Sequence, residues 1–229
     1  MAAVVQHGAE LKRSELAALI DHTMVKAYAT QLDISELCEE AARLGMHAVT
    51  INSAWASYCA RQLAGTSVVV NATVGFPLGS STALIKVQET AEAVGHGATE
   101  IDMVINVGAL KSGFPAFVSK EIAAVVKAAD GAPVKVILET GYLSHEEKIL
   151  VCRIAEENGA AFVKTSTGFA GTGATTSDVR LMRNAVGDRL GVKAAGGIRT
   201  LRDARAMIEA GASRLGTSSG VEILNDAPA

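Results

Sequence analysis

The sequence holds little that would announce a function at once. Its 229 residues include three cysteines, Cys38, Cys59 and Cys152. They are odd in number, widely spaced and set in helical patterns, which argues against a disulfide frame or a cysteine metal site and fits reduced thiols in a cytoplasmic protein. No apolar run approaches the about 18 residues of a membrane span. The stretch from Met1 to Glu10 lacks a basic segment followed by an apolar one, so no export signal is expected. The formal net charge of −3 gives no reason to expect nucleic acid or an anionic membrane as partner. There is no Gly-x-Gly-x-x-Gly fingerprint and no Walker loop. His7, His22, His47, His96 and His145 show no metal-ligand spacing, and no carboxylate cluster is expected beside them. Neither a metal nor another cofactor is therefore expected. Linkers and low-complexity stretches are missing too. A single domain is expected over residues 1–229, with a short N-terminal extension before about residue 14.

What is present is a regular alternation. Apolar strand-like runs are expected around Leu19-Ile20-Asp21, at Ala48 to Asn52, Ser67 to Gly75, Glu100 to Val107, Val134 to Glu139, Ala161 to Thr167, Val192 to Ala195 and Arg214 to Thr217. Amphipathic helices are expected over Asp33 to Leu44, Thr82 to Gly95, Phe117 to Ala129, Glu146 to Asn158, Ser177 to Val186 and Leu201 to Ala210. Gly45, Gly97, Gly159 and Gly211 follow helices, as C-terminal caps should. Eight strands in alternation with helices predict an α/β fold, the (β/α)8 TIM barrel. A doubly wound open sheet is the alternative, because periodicity does not show closure.

In such a barrel, chemistry gathers at the C-terminal ends of the strands. Lys164 lies within the apolar run Phe162-Val163-Lys164-Thr165-Ser166, and Lys193 within Gly191-Val192-Lys193-Ala194-Ala195. A buried lysine needs a partner or a purpose, and a desolvated amine beside a second ammonium becomes a nucleophile. The pair points to imine chemistry; two interior salt bridges are the plainer reading. Alternation along strand four turns Glu100, Asp102, Val104 and Asn106 inward, so Asp102 is placed to pair with either lysine. Lys135 opens its strand and is read as a solvated lysine at the bottom face. His22 and Asp21 are neighbours on one strand and so point to opposite faces.

Three glycine-rich strand ends come late in the chain: Thr167-Gly168, Gly196-Gly197-Ile198-Arg199 and Gly216-Thr217-Ser218-Ser219-Gly220. Glycines let backbone N–H groups approach an oxyanion, and phosphate in these barrels commonly binds after strands seven and eight. Together they predict a phosphorylated substrate; ordinary turns and caps are the alternative.

The same residues make up a known pattern. The chain resembles the deoxyribose-phosphate aldolase family, Schiff-base lyases built on the (β/α)8 barrel. The likeness runs from about Leu19 to Ser219. It rests on Ile20-Asp21-His22-Thr23, Gly75-Phe76-Pro77-Leu78-Gly79, Glu100 to Asn106, Phe162 to Phe169, and Val192 to Arg199. The resemblance implies that Lys164 forms the imine, that Lys193 perturbs it and that Asp102 relays protons. It further implies that Gly168, Gly196, Gly197, Ser218 and Ser219 cradle the phosphate, and that Asp21 and Thr23 lie near the substrate. The implied partners are a small phosphorylated sugar and aldehydes, in deoxyribonucleotide catabolism, and a homodimer is left open. An aldolase for another phosphorylated substrate and a non-catalytic sugar-phosphate-binding barrel are the competing functions. Two departures stand out. Strand two ends Thr50-Ile51-Asn52-Ser53 where many relatives carry Cys-x-Asn-Pro, and Ala27 follows Lys26 where proline is frequent. Neither is expected to touch the catalytic set. The first removes a thiol near the site and is expected to alter how strand two leaves the barrel.

Overall fold

A computed structural model describes residues 11–228. Eight parallel strands close into a barrel in sequence order, so the open-sheet alternative is set aside. They are β1 Ile20–Met24, β2 Ala48–Asn52, β3 Val69–Val74, β4 Glu100–Val104, β5 Val134–Ile137, β6 Phe162–Lys164, β7 Gly191–Ala195 and β8 Arg214–Thr217. The helices are α1 Arg13–Ala17, α2 Gln31–Leu44, α3 Ala56–Gln62, α4 Ala83–Gly95, α5 Val107–Lys111, α6 Pro115–Ala128, α7 His145–Glu157, α8 Thr176–Val186, α9 Leu201–Glu209 and α10 Gly220–Asn225. The short helices α1, α3, α5 and α10 carry too few turns for periodicity to reveal them. Helix α1 begins inside the proposed N-terminal extension; residues 1–10, His7 among them, lie outside the described residues. Among the described residues no helix is long and apolar enough to cross a membrane.

Alternation sorts each strand into an outer apolar face and an inner polar one. Ile101 and Met103 of β4, Val134 and Val136 of β5, and Val163 of β6 are buried among the helices. Capping boxes start α2, α7 and α9 at Thr30, Ser144 and Thr200, where each side chain and its N3 carboxylate satisfy backbone N–H groups reciprocally. Cys38, Cys59 and Cys152 are buried free thiols. The barrel floor is filled by Phe162, whose ring lies below the guanidinium of Arg214 at 5.2 Å. That ring takes the space beside Gly191, where any Cβ would collide with it.

One buried ion pair outside the barrel shapes its upper rim. Lys86 of α4 donates to the Glu121 carboxylate on α6 at 2.8 Å, to the Gly79 carbonyl at 2.7 Å and to the Val104 carbonyl at 2.8 Å. Glu121 in turn accepts from the Asn106 N–H at 3.1 Å. The lysine thereby fastens the loop after β3 to the end of β4. Gly79 is required in that loop, because it adopts φ +67° and a Cβ there would strike the Ile105 carbonyl.

Candidate active site

Lys164, Lys193 and Asp102 meet inside the barrel. Lys164 is the last residue of β6 and pairs in register with Lys193 of β7, so both side chains leave the sheet on the same side. Both ammonium groups contact one oxygen, Asp102 Oδ2, at 2.7 Å from Lys164 Nζ and 2.8 Å from Lys193 Nζ. Lys193 also reaches Asp21 Oδ2 at 2.5 Å. Asp102 and Lys193 are fully buried, and Lys164 keeps only 4% of its surface exposed.

This arrangement drives the two lysines apart in basicity. Burial pulls Lys164 down to about 8, and the Lys193 and Lys135 ammonium groups add to that against the upward pull of Asp102. Burial also acts on Lys193, but Asp102 and then Asp21 outweigh it, and its pKa rises. Burial would raise Asp102, yet Lys135, Lys164 and Lys193 hold it well below the usual carboxylate range. The site therefore contains an amine poised near neutrality, a fixed cation and an ionised carboxylate.

Lys135 overturns the sequence expectation. It is fully buried rather than solvated. It is paired in register with Asp102 and shares its inward direction. Its Nζ lies 2.5 Å from Glu100 Oε2 and 3.2 Å from Asp102 Oδ1, and it donates to Asn71 Oδ1 at 2.9 Å. Its face, rather than its place at the start of the strand, decides its environment. Asn71 donates onward to Thr50 Oγ1 at 2.8 Å. The departure at Thr50 thus meets Asn71 rather than Lys164, Lys193 or Asp102, and is linked to Asp102 through Asn71 and Lys135. Strand two leaves the barrel through a 3-10 turn, Ser53–Trp55, and Ser53 Oγ donates to Glu89 at 2.7 Å.

The expectation of no carboxylates near a histidine is also corrected. Side-chain donor atoms of Asp21, His47 and Glu100 lie within 4.8 Å of one another. Arg214 already binds Asp21 at 3.0 Å and Glu100 at 3.3 Å, and His47 Nε2 lies 3.2 Å from Glu100. Burial would raise Glu100, but the bond to His47 and the Lys135 charge hold it at about 2. A metal ion at this cluster would enter against the fixed charges of Lys135, Lys193 and Arg214. His22 faces outward to Glu40 at 2.8 Å while Asp21 faces inward, as alternation requires.

The glycine-rich ends converge at the rim. Gly168, Gly196 and Gly197 adopt φ +89°, +92° and +79°. A Cβ placed on Gly196 would lie 3.6 Å from the Gly168 Cα, so two of the three segments touch. Thr217 Oγ1 donates to the Ile198 carbonyl at 2.7 Å and accepts from the Ser219 N–H at 2.9 Å, which joins the third. Ser218 and Gly197 are exposed and Ser219 half-buried, whereas Arg199 points to solvent. Thr23 lies higher on β1 than Asp21 and donates to the Asp21 carbonyl at 2.9 Å. Asp21 itself is sealed beneath Lys193.

Glu139, just beyond β5, escaped sequence reasoning. Its backbone is left-handed, φ +55°. Its buried carboxylate accepts the Thr167 N–H at 3.2 Å and the Thr167 hydroxyl, and burial raises its pKa. Thr167 Oγ1 then accepts the Phe169 N–H at 3.1 Å, which fixes the turn around Gly168. The inward alternation Lys135, Ile137, Glu139 was the available signal.

The chain is similar to known proteins over most of its length. The chain is 54% identical over 213 residues to a deoxyribose-phosphate aldolase of Methanothermobacter thermautotrophicus, covering 93% of this chain and 95% of that one. It is likewise 54% identical over 212 residues to a deoxyribose-phosphate aldolase of Alkaliphilus oremlandii, covering 92% and 96%. The tetrameric deoxyribose phosphate aldolase of Aeropyrum pernix superposes with a TM-score of 0.88 at 33% identity, over 93% of this chain and 91% of that chain. The sequence signature described as DeoC/LacD family aldolase matches residues 5–226, and with these relatives it makes the chain a member of that aldolase family.

Proposed function

We propose that this chain reversibly cleaves 2-deoxy-D-ribose 5-phosphate to D-glyceraldehyde 3-phosphate and acetaldehyde through an imine on Lys164. The observation that carries the reading is the meeting of Lys164 and Lys193 on one oxygen of Asp102. The names of the relatives support the substrate.

The free amine of Lys164 adds to the aldehyde carbon C1 of the open-chain sugar, giving a carbinolamine. Loss of water leaves a protonated imine, an electron sink. Removal of the C3 hydroxyl proton turns C3 into the carbonyl carbon of glyceraldehyde 3-phosphate. The C2–C3 bond breaks, and its electron pair moves toward the imine nitrogen to form an enamine. Protonation at C2 restores the imine, and water releases acetaldehyde and the lysine. Lys193, held cationic by Asp102 and Asp21, disfavours a second ammonium at Lys164. Asp102 is a weak base under three positive charges, so it suits passing a proton through water rather than keeping one. Gly168, Gly196, Gly197, Ser218 and Ser219 would bind the phosphate, with Thr23 beside the sugar and Asp21 acting through Lys193. That remote binding energy would hold C1 at the amine.

Deoxyribonucleotide catabolism in the cytoplasm is the setting this reading implies. The tetrameric relative supports self-association, of which a homodimer is the simplest form. The test is turnover of 2-deoxyribose 5-phosphate against a panel of other phosphorylated aldoses, with acetaldehyde release as the readout. Faster turnover of another sugar would move the chain to a different substrate. Tight binding without any cleavage would make it a binding barrel.

A further inference from the structure

The charge count inside the barrel carries a conclusion beyond the roles of Lys164, Lys193 and Asp102. Asp21 of β1 and Glu100 and Asp102 of β4 supply three carboxylates, while Lys135 of β5, Lys164 of β6, Lys193 of β7 and Arg214 of β8 supply four cations. All seven belong to one connected set of contacts. Lys135 bridges Glu100 and Asp102, Lys193 bridges Asp102 and Asp21, and Arg214 bridges Asp21 and Glu100. These three cations and three carboxylates close a ring in which each cation touches at least two acids, and Lys135 also reaches Asp21 Oδ2 at 4.0 Å. Lys164 touches the ring at one point only, Asp102 Oδ2.

We propose that Lys135 is a positioning residue for the nucleophile: by completing this neutral ring it makes Lys164 the surplus cation, and so the one that gives up its proton. The inference rests on the Schiff-base reading of Lys164. The physical reason is the cost of uncompensated charge in a water-poor interior. With Lys135 in place, three carboxylates are matched before Lys164 is counted, and its protonation adds an unmatched charge. Without Lys135, one carboxylate is left over, and a protonated Lys164 restores neutrality.

Other groups near Lys164 lie outside the ring. Glu139, beyond the end of β5, turns its carboxylate onto the Thr167 N–H and hydroxyl and pairs with none of the ring cations. His47, before β2, meets the ring only through Glu100. Asn71 of β3 and Thr50 of β2 are uncharged and orient Lys135. The downward influence of Lys135 on Lys164 agrees with the geometry.

The test is the pH profile of borohydride trapping with acetaldehyde, followed on Lys164 by peptide mapping in four proteins: wild type, Lys135→Met, Glu100→Gln and the double variant. Lys135→Met should move the midpoint to higher pH by about one unit or more, and slow trapping at pH 7 about tenfold. Glu100→Gln removes an acid instead and should move the midpoint downward. The double variant loses one charge of each sign, so its midpoint should return to within about half a unit of wild type. If Lys135→Met alone does not fold, Glu100→Gln and the double variant decide the matter by the same opposition. A purely structural role predicts lower melting temperatures with unmoved midpoints, and that result in folded variants overturns the proposal. A double variant that traps no closer to wild type than its folded parents would also overturn it. Failure of the wild type to form any adduct on Lys164 would instead sink the Schiff-base reading itself.

Discussion

Replacing Lys193 with methionine isolates the electrostatic part of the site, because methionine keeps an unbranched side chain and removes the charge. Lys164 and Lys193 lie 2.7 and 2.8 Å from the same oxygen, so their nitrogens are at most about 5.5 Å apart. Two unit charges at that distance repel by about 3 kcal/mol at an effective dielectric constant of about 20. That corresponds to about 2 pKa units. Lys164, at about 8 in the intact protein, should therefore rise to about 10. Release of Asp102 to pair with Lys164 alone pushes in the same direction. At pH 7 the free-amine fraction should fall from about one-tenth to about one-thousandth, and imine formation should slow about a hundredfold. The deficit should shrink as the pH approaches 10, where alkali deprotonates Lys164 unaided. Rapid-quench trapping across pH 6 to 10 measures this directly, and thermal unfolding run beside it reports the structural cost. Breaking a buried pair costs about 3–5 kcal/mol, so the variant should also be less stable. A folded Lys193→Met protein that traps acetaldehyde at pH 7 as fast as wild type would refute the reasoning.

Three further outcomes follow from other parts of the molecule. Lys86→Met leaves Glu121 buried without its cation and strips two carbonyls of a donor, so urea unfolding should show a loss of about 3–5 kcal/mol; a loss under about 1 kcal/mol would contradict the role of Lys86 at the rim. Gly197→Asp sets a carboxylate among the donors assigned to phosphate. Its left-handed backbone strain acts on both substrates alike, so KM should rise far more for 2-deoxyribose 5-phosphate than for 2-deoxyribose; equal losses would confine Gly197 to the fold. Activity should survive exhaustive chelation, since the imine supplies the electron sink, and a loss restored by zinc would overturn that account.

The sequence made the site partly legible, and the reasons differ by residue. Alternation along β4 turned Asp102 inward, within reach of either lysine; that it holds both on one oxygen is seen only in the structure. The succession of strands and helices was readable because the helices end in glycine signals such as Gly45, which adopts φ +68° at the end of α2, whereas closure of the barrel was not. Lys135 was misread because position along the strand was weighed above face; its neighbours Val134 and Val136 point outward, which forces it inward. Lys86 was invisible because a lysine on an amphipathic helix normally reaches water. It is buried among the loop from Gly75 to Gly79, the end of β4 and Glu121 of α6, a long-range arrangement with no local signal. The predicted sixth strand ran to Thr167, but β6 ends at Lys164; beyond it Thr165 bonds the Ala195 backbone and Thr167 bonds Glu139.

The central claim is that Lys164 is the nucleophile and Lys193 its fixed cationic neighbour. Borohydride reduction in the presence of acetaldehyde, followed by peptide mapping, tests it most directly. The account predicts inactivation with one ethyl group on Lys164 and none on Lys193. An ethyl group on Lys193 with Lys164 unmodified would contradict it.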